Sequence, residues 1–329
     1  MKITQLVAIV ALLTFASAQA APPDAPSVRI AKYKGDRAAA LSYTFDDGRR
    51  DHYTLVYPML EEFAFKGTFF VVGSTVQETD ELAAAAPVGS MSGLSWGQVK
   101  ELAAHGHEIG NHSWRHKNMK LLDDTELHAE IDMCDAAIRD KVGVVPVSFC
   151  YPGNSRDDRV RAVVLQTYVA ARDFQTEIGT ETYTTDTANA WADKNVATGG
   201  WGVAMIHGIS TGYHPLSSPD VLRNHLAYVK AHDSSIWVDT FGHVACYNAE
   251  RDSATIQNVT TLLHGVRFVV DGTRNAVPYT VPLTIVVGAA GTKGVKATRA
   301  GVALPVVIRG TDILIDAAPS AEPITLEWK

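Results

Sequence analysis

Short runs of apolar and β-favouring residues alternate along the chain with segments of helical periodicity. The runs that predict strands are residues 41–45, 68–72, 108–111, 146–151, 168–172, 201–206 and 235–238. In the longest helical segment, which opens at Asp124, the apolar residues of one face are Leu127, Ile131, Cys134 and Ile138. This alternation predicts a parallel sheet covered by helices, and seven units over about 210 residues favour a distorted seven-stranded (β/α) barrel over an open sheet.

Local signals set several element boundaries. Residues 54–63 predict an amphipathic helix, and Ser95 predicts the N-cap of a helix that reaches about residue 104. Residues 77–93, which contain Ala, Gly and Ser, are interpreted as a loop over the mouth of the domain.

The pattern changes after about residue 254, where helical periodicity ends. β-rich runs punctuated by Gly and Pro occupy residues 266–270, 279–287, 304–308 and 313–316. They predict a small antiparallel β-domain of the sandwich type, in which no catalytic motif is recognisable. The predicted organisation is a barrel domain over residues 21–253 and a C-terminal β-domain over residues 254–329.

The first residues have the pattern of a secretory signal peptide. Lys2 precedes an apolar run at residues 6–15, and the Ala-Gln-Ala sequence at residues 18–20 fits the small-x-small cleavage rule. We therefore predict that residues 1–20 are a signal peptide and that the mature protein is secreted or periplasmic. No later segment has the roughly 18 consecutive apolar residues of a transmembrane helix, so no membrane span is expected.

The net charge disfavours some classes of binding partner, and the number of cysteines limits disulfide pairing. The formal net charge is −7 and no block of Lys or Arg is present, so a nucleic acid or an anionic membrane is not expected as a partner. With three cysteines, Cys134, Cys150 and Cys246, at least one thiol has no partner within the chain. The sequence leaves a Cys134–Cys150 bridge and isolated buried thiols as open alternatives.

Two adjacent carboxylates, Asp46 and Asp47, follow the first predicted strand and precede Gly48. Side by side at the end of a buried strand, they repel each other and need a cation, a proton or a set of hydrogen bonds. A solvated Asp-Gly turn is the alternative. In a (β/α) barrel the active site lies at the carboxyl ends of the strands, which is where this pair lies.

Polar groups also follow other predicted strands. His112 and His116 come after the third strand, at a spacing that lets two imidazoles on a helical turn hold one metal ion. Pro152 and Gly153 fix a turn after the fourth strand. His207 follows the sixth strand, where a histidine can act as a general acid, and a buried structural histidine is the alternative.

These motifs together resemble those of the polysaccharide deacetylases of carbohydrate esterase family four. The resemblance covers about residues 38–250. It rests on four motifs: Thr-Phe-Asp-Asp-Gly at residues 44–48, His-Ser-Trp-Arg-His at 112–116, Tyr-Pro-Gly at 151–153 and Ile-His-Gly at 206–208.

The resemblance implies a metal centre and a general base. Asp47, His112 and His116 are then the ligands of a divalent metal ion, most often zinc, and Asp46 is the general base. Two imidazoles and one carboxylate leave coordination positions open for water and for a substrate carbonyl oxygen. A metal ion in such a site lowers the pKa of water and polarises the carbonyl group.

The resemblance also implies the groups that surround the reacting bond. The Gly153 N–H helps to hold the oxyanion, and His207 is the general acid for the leaving group. Tyr151 and Pro152, in the same motif as Gly153, are predicted to bind the substrate.

The chain departs from the family pattern in two places. Many members carry an arginine in the third motif that contacts a catalytic carboxylate, whereas Cys150 stands there in this chain. We hypothesise that Arg172, at the end of the fifth predicted strand, supplies that charge. The acid that tunes the acid histidine is also not evident, and Asp173 and Asp193 are rival candidates.

The implied function is that of a metal-dependent carbohydrate deacetylase. It would remove N-acetyl groups from chitin oligomers, peptidoglycan or a similar acetylated glycan and release acetate. An O-acetyl esterase acting on acetylated xylan and a non-catalytic, metal-containing carbohydrate-binding protein are the alternatives. A glycosidase is disfavoured because adjacent acids seldom reach the separation of about 5 Å that its carboxylate pair needs. Secretion and the β/α order disfavour a non-haem iron oxygenase.

Overall fold

The computed structural model describes residues 26–272, 281–288 and 292–329, so the predicted signal peptide at residues 1–20 lies outside it. Eight parallel strands form one curled sheet. In spatial order they are Ala170–Ala171, Ser148–Phe149, Glu108–Asn111, Thr68–Val71, Ala39–Asp46, Trp201–Ile206 and Thr176–Glu177, with Ile236–Val238 also paired to Ala39–Asp46. Within the described residues no pairing joins the two edge strands, so the barrel is open between them.

All seven predicted strands belong to this sheet, which confirms the (β/α) barrel. Ala39–Asp46, here called the central strand, has neighbours on both sides, and all of its residues are buried. This explains why residues 39–45 contain no charged side chain. The additional strand, Thr176–Glu177, has only two residues and no hydrophobic run by which the sequence would reveal it.

Helices alternate with the strands as predicted. They are Tyr57–Glu62, Asp80–Ala85, Trp96–Ala104, Asp124–Lys141, Asp158–Thr167, Thr185–Thr198, Pro219–Ala231 and Phe241–Ser253. The predicted N-cap at Ser95 is confirmed, because its hydroxyl accepts a hydrogen bond from the Gln98 N–H while the Gln98 side chain accepts one from the Ser95 N–H. Among the described residues no helix is long and apolar enough to cross a membrane.

Two predicted segments differ from the structure. Residues 77–93 are not a continuous loop, because Asp80–Ala85 forms a helix whose N-cap Thr79 accepts a hydrogen bond from the Leu82 N–H. Residues 54–63 do not form a single α-helix. A π-helical turn, His52–Val56, precedes Tyr57–Glu62, and Pro58 near the start of the α-helix has no N–H to extend α-helical bonding backwards.

The C-terminal region contains two antiparallel sheets. One has the order Ser27–Ile30, Leu283–Gly288, Asp312–Ala317 and Val307–Arg309, and the other Thr255–Leu262, Gly265–Asp271, Ser320–Glu327, Lys296–Arg299 and Val302–Leu304. Phe268 and Leu326 of the second sheet share one buried core with Ile285 and Ile313 of the first. This arrangement agrees with the predicted antiparallel β-domain; residues 279 and 280 of its second predicted run lie outside the described residues.

The N-terminal strand Ser27–Ile30 lies in the β-domain rather than in the barrel. The sequence places these residues before the first barrel strand, but they pair with Leu283–Gly288 in an antiparallel register. The reason is the contact between the two parts of the chain: the barrel residues Trp237 and Tyr247 share the β-domain core, and the Tyr247 hydroxyl donates to the Ala31 carbonyl at 3.0 Å.

Candidate metal centre and active site

Asp46 and Asp47 leave the central strand in different directions. Asp46 is the last residue of the strand, whereas Asp47 has a φ of +81°. This left-handed conformation is uncommon outside glycine and is a recurrent feature of functional sites. Because of this turn, the two neighbouring carboxylates contact different partners, which resolves the repulsion expected for adjacent acids.

The Asp47 carboxylate lies beside both predicted histidine ligands. Its Oδ1 atom is 3.5 Å from His112 Nε2 and 3.5 Å from His116 Nε2. A ligand atom from each of the three residues lies within 4.8 Å of the other two. The structure therefore brings together the predicted metal-ligand set at the carboxyl end of the sheet.

The two histidines do not converge on a helical turn, as their spacing had suggested. Residues 112–116 are non-helical, and both Ser113 and His116 have positive φ values of 65° and 57°. Side chains of this segment hold the turn instead: Asn111 Oδ1 accepts from the Ser113 N–H at 2.7 Å, and Ser113 Oγ accepts from the His116 N–H at 2.9 Å. Such local side-chain bonds compete with helix formation.

The hydrogen bonds around this cluster fit a divalent cation. His112 Nδ1 donates to the Cys150 carbonyl at 2.8 Å, which leaves the lone pair of Nε2 facing Asp47. Asp47 Oδ2 accepts from Arg49 at 2.7 Å, whereas Asp47 Oδ1 is buried without a hydrogen-bond partner among the described residues. A buried, unpartnered carboxylate oxygen facing two imidazoles is the donor arrangement that zinc prefers.

Charged neighbours keep the Asp47 carboxyl group ionised. Burial alone raises the pKa of this group, but the close approach of His112 and the charge of Arg49 outweigh burial and hold the pKa below its ordinary value. The carboxylate form is the one that coordinates a metal ion.

Asp46 forms a buried ion pair with Arg172. Arg172 Nη1 lies 2.8 Å from Asp46 Oδ1, Nη2 contacts Oδ2, and Nη1 also donates to Thr44 Oγ1. Burial raises the pKa of Asp46, but the charge and hydrogen bonds of Arg172, together with His112 and His207, outweigh this effect and keep the pKa below its ordinary value. The structure thus places Arg172 on the carboxylate that the sequence hypothesis assigned to it.

His207 reaches the same carboxylate from the other side. Its Nε2 atom lies 3.8 Å from Asp46 Oδ2, and burial lowers the pKa of the imidazole despite the nearby Asp46 charge. Its Nδ1 atom has no hydrogen-bond partner within the described residues. Neither candidate acid fills this position, because Asp173 pairs with Arg156 and Arg161 and Asp193 accepts from Tyr228.

One cavity of about 450 Å³ is lined by the metal-ligand set and by its charged neighbours, Asp46, Asp47, His112, His116, Arg172 and His207. Tyr151 and Gly153 also line it, whereas Pro152 is buried outside the lining, so the predicted substrate contact of Pro152 is not found. The Tyr151 side chain packs edge-to-face against Phe149 at 5.4 Å. Gly153 has a φ of +55°, which favours glycine at this turn although the space beside its Cα is open.

Comparison with known proteins agrees with this geometry. Residues 34–171 match the family model described as polysaccharide deacetylase. This segment is a polysaccharide deacetylase domain. The chain is also similar to chitin deacetylase 1 of Cryptococcus neoformans var. grubii, with 29% identity over 195 residues that cover 59% of this chain and 38% of that protein.

Other relatives share different portions of the chain. A gellan lyase from a Bacillus species is 22% identical over 351 residues, which cover 93% of this chain and 13% of the lyase. The chain thus spans less than two fifths of the length of either curated relative. Among solved structures, a family 4 acetyl xylan esterase from Clostridium thermocellum has 21% identity and a TM-score of 0.46, covering 62% of this chain and 89% of that chain.

The site also contains hydrogen bonds to which sequence reasoning assigned no role. Asp51 Oδ2 accepts from the N–H groups of Ile209 at 2.7 Å and Ser210 at 3.1 Å, and His52 Nε2 donates to the His207 carbonyl at 2.6 Å. These bonds hold the segment that carries His207. The sequence indicates a role for Asp51 and His52 only through their position shortly after the Asp-Asp-Gly motif.

Cys150 occupies the site where the family resemblance leads one to expect an arginine. Its Sγ atom lies 3.7 Å from Asp46 Oδ2, and Arg172 reaches the same carboxylate from the next strand. All three cysteines are buried free thiols, so the alternative of a Cys134–Cys150 bridge is not realised in the deacetylase domain.

Proposed function

We propose that this protein is a secreted, metal-dependent carbohydrate deacetylase that hydrolyses N-acetyl groups of an acetylated glycan and releases acetate. One observation carries the proposal. Asp46, held ionised by Arg172, opens into the same cavity as the Asp47–His112–His116 cluster. An ionised base beside a metal-ligand set is what hydrolysis of an unactivated amide requires.

Each residue has a defined part in this reaction. A zinc ion bound by Asp47, His112 and His116 would supply Lewis acidity toward water and the acetyl carbonyl group. Asp46 accepts the proton of the attacking water, because its pKa lies below the ordinary value and the group is ionised at neutral pH. As the C–N bond breaks, His207 in its imidazolium form donates a proton to the departing amine nitrogen and becomes neutral, which its lowered pKa favours.

Oxyanion stabilisation is assigned to the turn after the fourth strand. Gly153 lines the cavity, and we assign its N–H to the developing oxyanion. Removal of one such donor typically costs about 3–4 kcal/mol of transition-state stabilisation. Tyr151 borders the same space and is assigned to substrate contact.

The preference for an amide substrate rests on the deacetylase domain and on similarity to a chitin deacetylase. An O-acetyl esterase would use the same groups, and a non-catalytic glycan-binding protein would keep the metal ligands alone. Retention of Asp46, Arg172 and His207 around one cavity favours an enzyme. The secreted location is proposed from the signal-peptide pattern of residues 1–20.

The test is acetate release from N-acetylglucosamine oligomers and from acetylated xylan, measured with and without a chelator. Release from the oligomers that the chelator abolishes and added zinc restores is the expected result. Release from xylan alone would make the protein an esterase. Asp46→Asn should bind zinc normally yet release no acetate, whereas a wild-type protein that binds both glycans without releasing acetate would be a binding protein.

A further inference from the structure

A second cleft lies at the opposite end of the barrel from the proposed active site. It has a volume of about 520 Å³ and lies where the start of the central strand meets the β-domain. Its walls include Lys34, Gly35, Arg37, Ile236–Val238 and Leu314. The central strand Ala39–Asp46 separates the two ends by roughly 23 Å, at about 3.3 Å per residue. The two cavities have no lining residue in common.

This cleft, here called the junction cleft, is basic in a protein that is acidic overall. The formal net charge of the chain is −7. The ionisable lining nevertheless has more bases than acids: Lys34, Arg37, Lys230 and Arg309 against Asp233 and Asp316. Lys230 and Asp233 partly neutralise each other's charge, because Lys230 Nζ lies 3.7 Å from Asp233 Oδ2. The remaining groups leave the junction cleft with an excess of positive charge.

Two arginines of the junction cleft have no carboxylate partner. Arg37 Nε donates to the Asp233 carbonyl at 2.6 Å, and Arg309 Nη1 donates to the Asp36 carbonyl at 3.0 Å. Carbonyl groups orient a guanidinium without neutralising it. Across the described ranges, no carboxylate oxygen lies within 4.0 Å of a nitrogen of either arginine or of Lys34.

The environment of Arg37 disfavours the charged form of its guanidinium group. Burial lowers the pKa of this guanidinium, and the charge of Arg309 lowers it further, with only partial relief from Asp233 and Asp316. The partly buried Arg37 guanidinium and the exposed Arg309 guanidinium repel each other, so both gain from an anion that enters between them. The same groups are held in place by their carbonyl bonds, so little ordering is needed on binding.

We propose that the junction cleft binds a saccharide that carries an oxyanion, either the carboxylate of a uronic acid or the phosphate of a sugar phosphate. Arginine forks match both groups in a two-point geometry. The volume lies within the range typical of small-ligand sites. Apolar lining residues, among them Ile236, Val238 and Leu314, provide surface for the C–H faces of a sugar ring. The site is independent of the proposed acetyl hydrolysis, because it uses different residues.

Calorimetric titration of the full-length protein at low salt tests this proposal. The probes are glucuronate, glucose 6-phosphate, inorganic phosphate and glucose. Glucuronate or glucose 6-phosphate should bind more tightly than both inorganic phosphate and neutral glucose, and the tighter of the two sugars identifies the oxyanion. Arg309→Gln should lower the affinity for that sugar by about tenfold or more, since a charged hydrogen bond is lost. Arg309→Lys, which keeps the charge but not the fork, should give an intermediate affinity.

A matched control and a second variant keep the result interpretable. Arg223→Gln removes another exposed cation, which pairs with Glu62 outside the junction cleft, and it should bind as the wild type does. Arg37→Gln should also weaken binding; if it fails to fold, the exposed Arg309 decides the question. The proposal is wrong if no charged sugar binds, if inorganic phosphate binds as tightly as the sugars, or if Arg309→Gln and Arg223→Gln behave alike. None of these outcomes depends on whether the protein releases acetate.

Discussion

Arg172 and Asp46, which are 126 positions apart in the sequence, form a two-point ion pair that is almost completely shielded from solvent. Arg172 directly follows the strand Ala170–Ala171, and Asp46 is the last residue of the central strand. The pair therefore joins the edge of the sheet to its centre across the mouth of the barrel. Because Asp46 is the proposed base, this contact predicts how activity depends on pH.

Replacement of Arg172 by glutamine should shift the acid limb of the pH profile. Without the guanidinium charge and its hydrogen bonds, only His112 and His207 oppose the effect of burial, so the pKa of Asp46 rises. Activity requires ionised Asp46, so it should be lost at a higher pH in Arg172→Gln than in the wild type, by about one to three pH units. The measurement is kcat/KM for acetate release as a function of pH.

Two further variants separate this effect from loss of structure. Breaking a buried ion pair also costs about 3–5 kcal/mol of stability, so the fold of Arg172→Gln must be checked by circular dichroism. Arg161→Gln removes an exposed arginine that contacts Asp173 and should leave the acid limb unchanged. A folded Arg172→Gln enzyme with the wild-type pH profile would contradict the assigned role.

Loss of a single histidine ligand should abolish tight metal binding. His116 Nε2 faces Asp47 Oδ1 at 3.5 Å, and glutamine cannot supply an imidazole nitrogen at that point. We expect His116→Gln to lower the affinity for zinc by more than about 100-fold, which is the upper end of the cost of losing an outer-shell partner. Competition with a chromogenic chelator measures this affinity directly. His128→Gln, which changes an exposed histidine of Asp124–Lys141, should bind zinc normally.

The parts of the site that follow strand ends could be predicted from the sequence. Asp46, His112 and His207 each stand at or directly after the end of a predicted strand, and a parallel barrel gathers such ends at one face. The strand order itself follows from the alternation of strands and helices. Arg172 could be placed by the same rule, because its strand neighbours Ser148–Phe149 in the sheet.

The parts that depend on loops could not be predicted. At the left-handed turn of Asp47, the Asp47 N–H donates to the Phe70 carbonyl of the neighbouring strand, and the turn at His116 is held by Ser113. The hydrophobic pattern of the sequence contains no sign of either turn. The pairing of Asp173 with Arg156 and Arg161 depends on how the preceding helix Asp158–Thr167 packs. The position of Asp173 in the sequence therefore does not reveal that it is unavailable to His207. Ser27–Ile30 likewise finds its partner strand more than 250 positions away.

Asp51 should prove to be a positioning residue for His207. Its Oδ2 atom holds the N–H groups of Ile209 and Ser210, directly after the proposed general acid. In Asp51→Ala these N–H groups lose their acceptor, at a cost of about 1–3 kcal/mol for each that stays buried. We expect kcat to fall while zinc affinity stays unchanged, as measured by steady-state kinetics and chelator competition.

The conservative variant distinguishes positioning from a general loss of stability. Asp51→Asn retains a carbonyl oxygen that can accept the same bonds, so it should recover most of the lost kcat. Asp132→Ala, a change of the same type at an exposed position, should leave both kcat and zinc affinity at wild-type values. Equal kcat in Asp51→Ala and the wild type would show that these bonds do not position His207.

Glu108 should make the stability of the barrel depend on pH. Its carboxylate accepts from Thr68, Ser148 and the Gly242 N–H, so it joins two neighbouring strands to the start of Phe241–Ser253. Burial nevertheless raises the pKa of this group above the ordinary glutamate value. A raised folded-state pKa adds stability below the unfolded-state pKa, and this contribution is lost as pH rises through the folded-state value.

In Glu108→Gln this titration is absent, while Ser148 can rotate its hydroxyl to accept from the new amide. The variant should therefore gain stability relative to the wild type as pH increases from below the ordinary glutamate pKa toward neutrality. Urea unfolding across this pH range measures the difference. Glu181→Gln, at an exposed position, should follow the wild-type curve throughout. If the curves of Glu108→Gln and the wild type stay parallel, the Glu108 carboxyl group is not under strain from burial, and its three hydrogen bonds fully offset the loss of water.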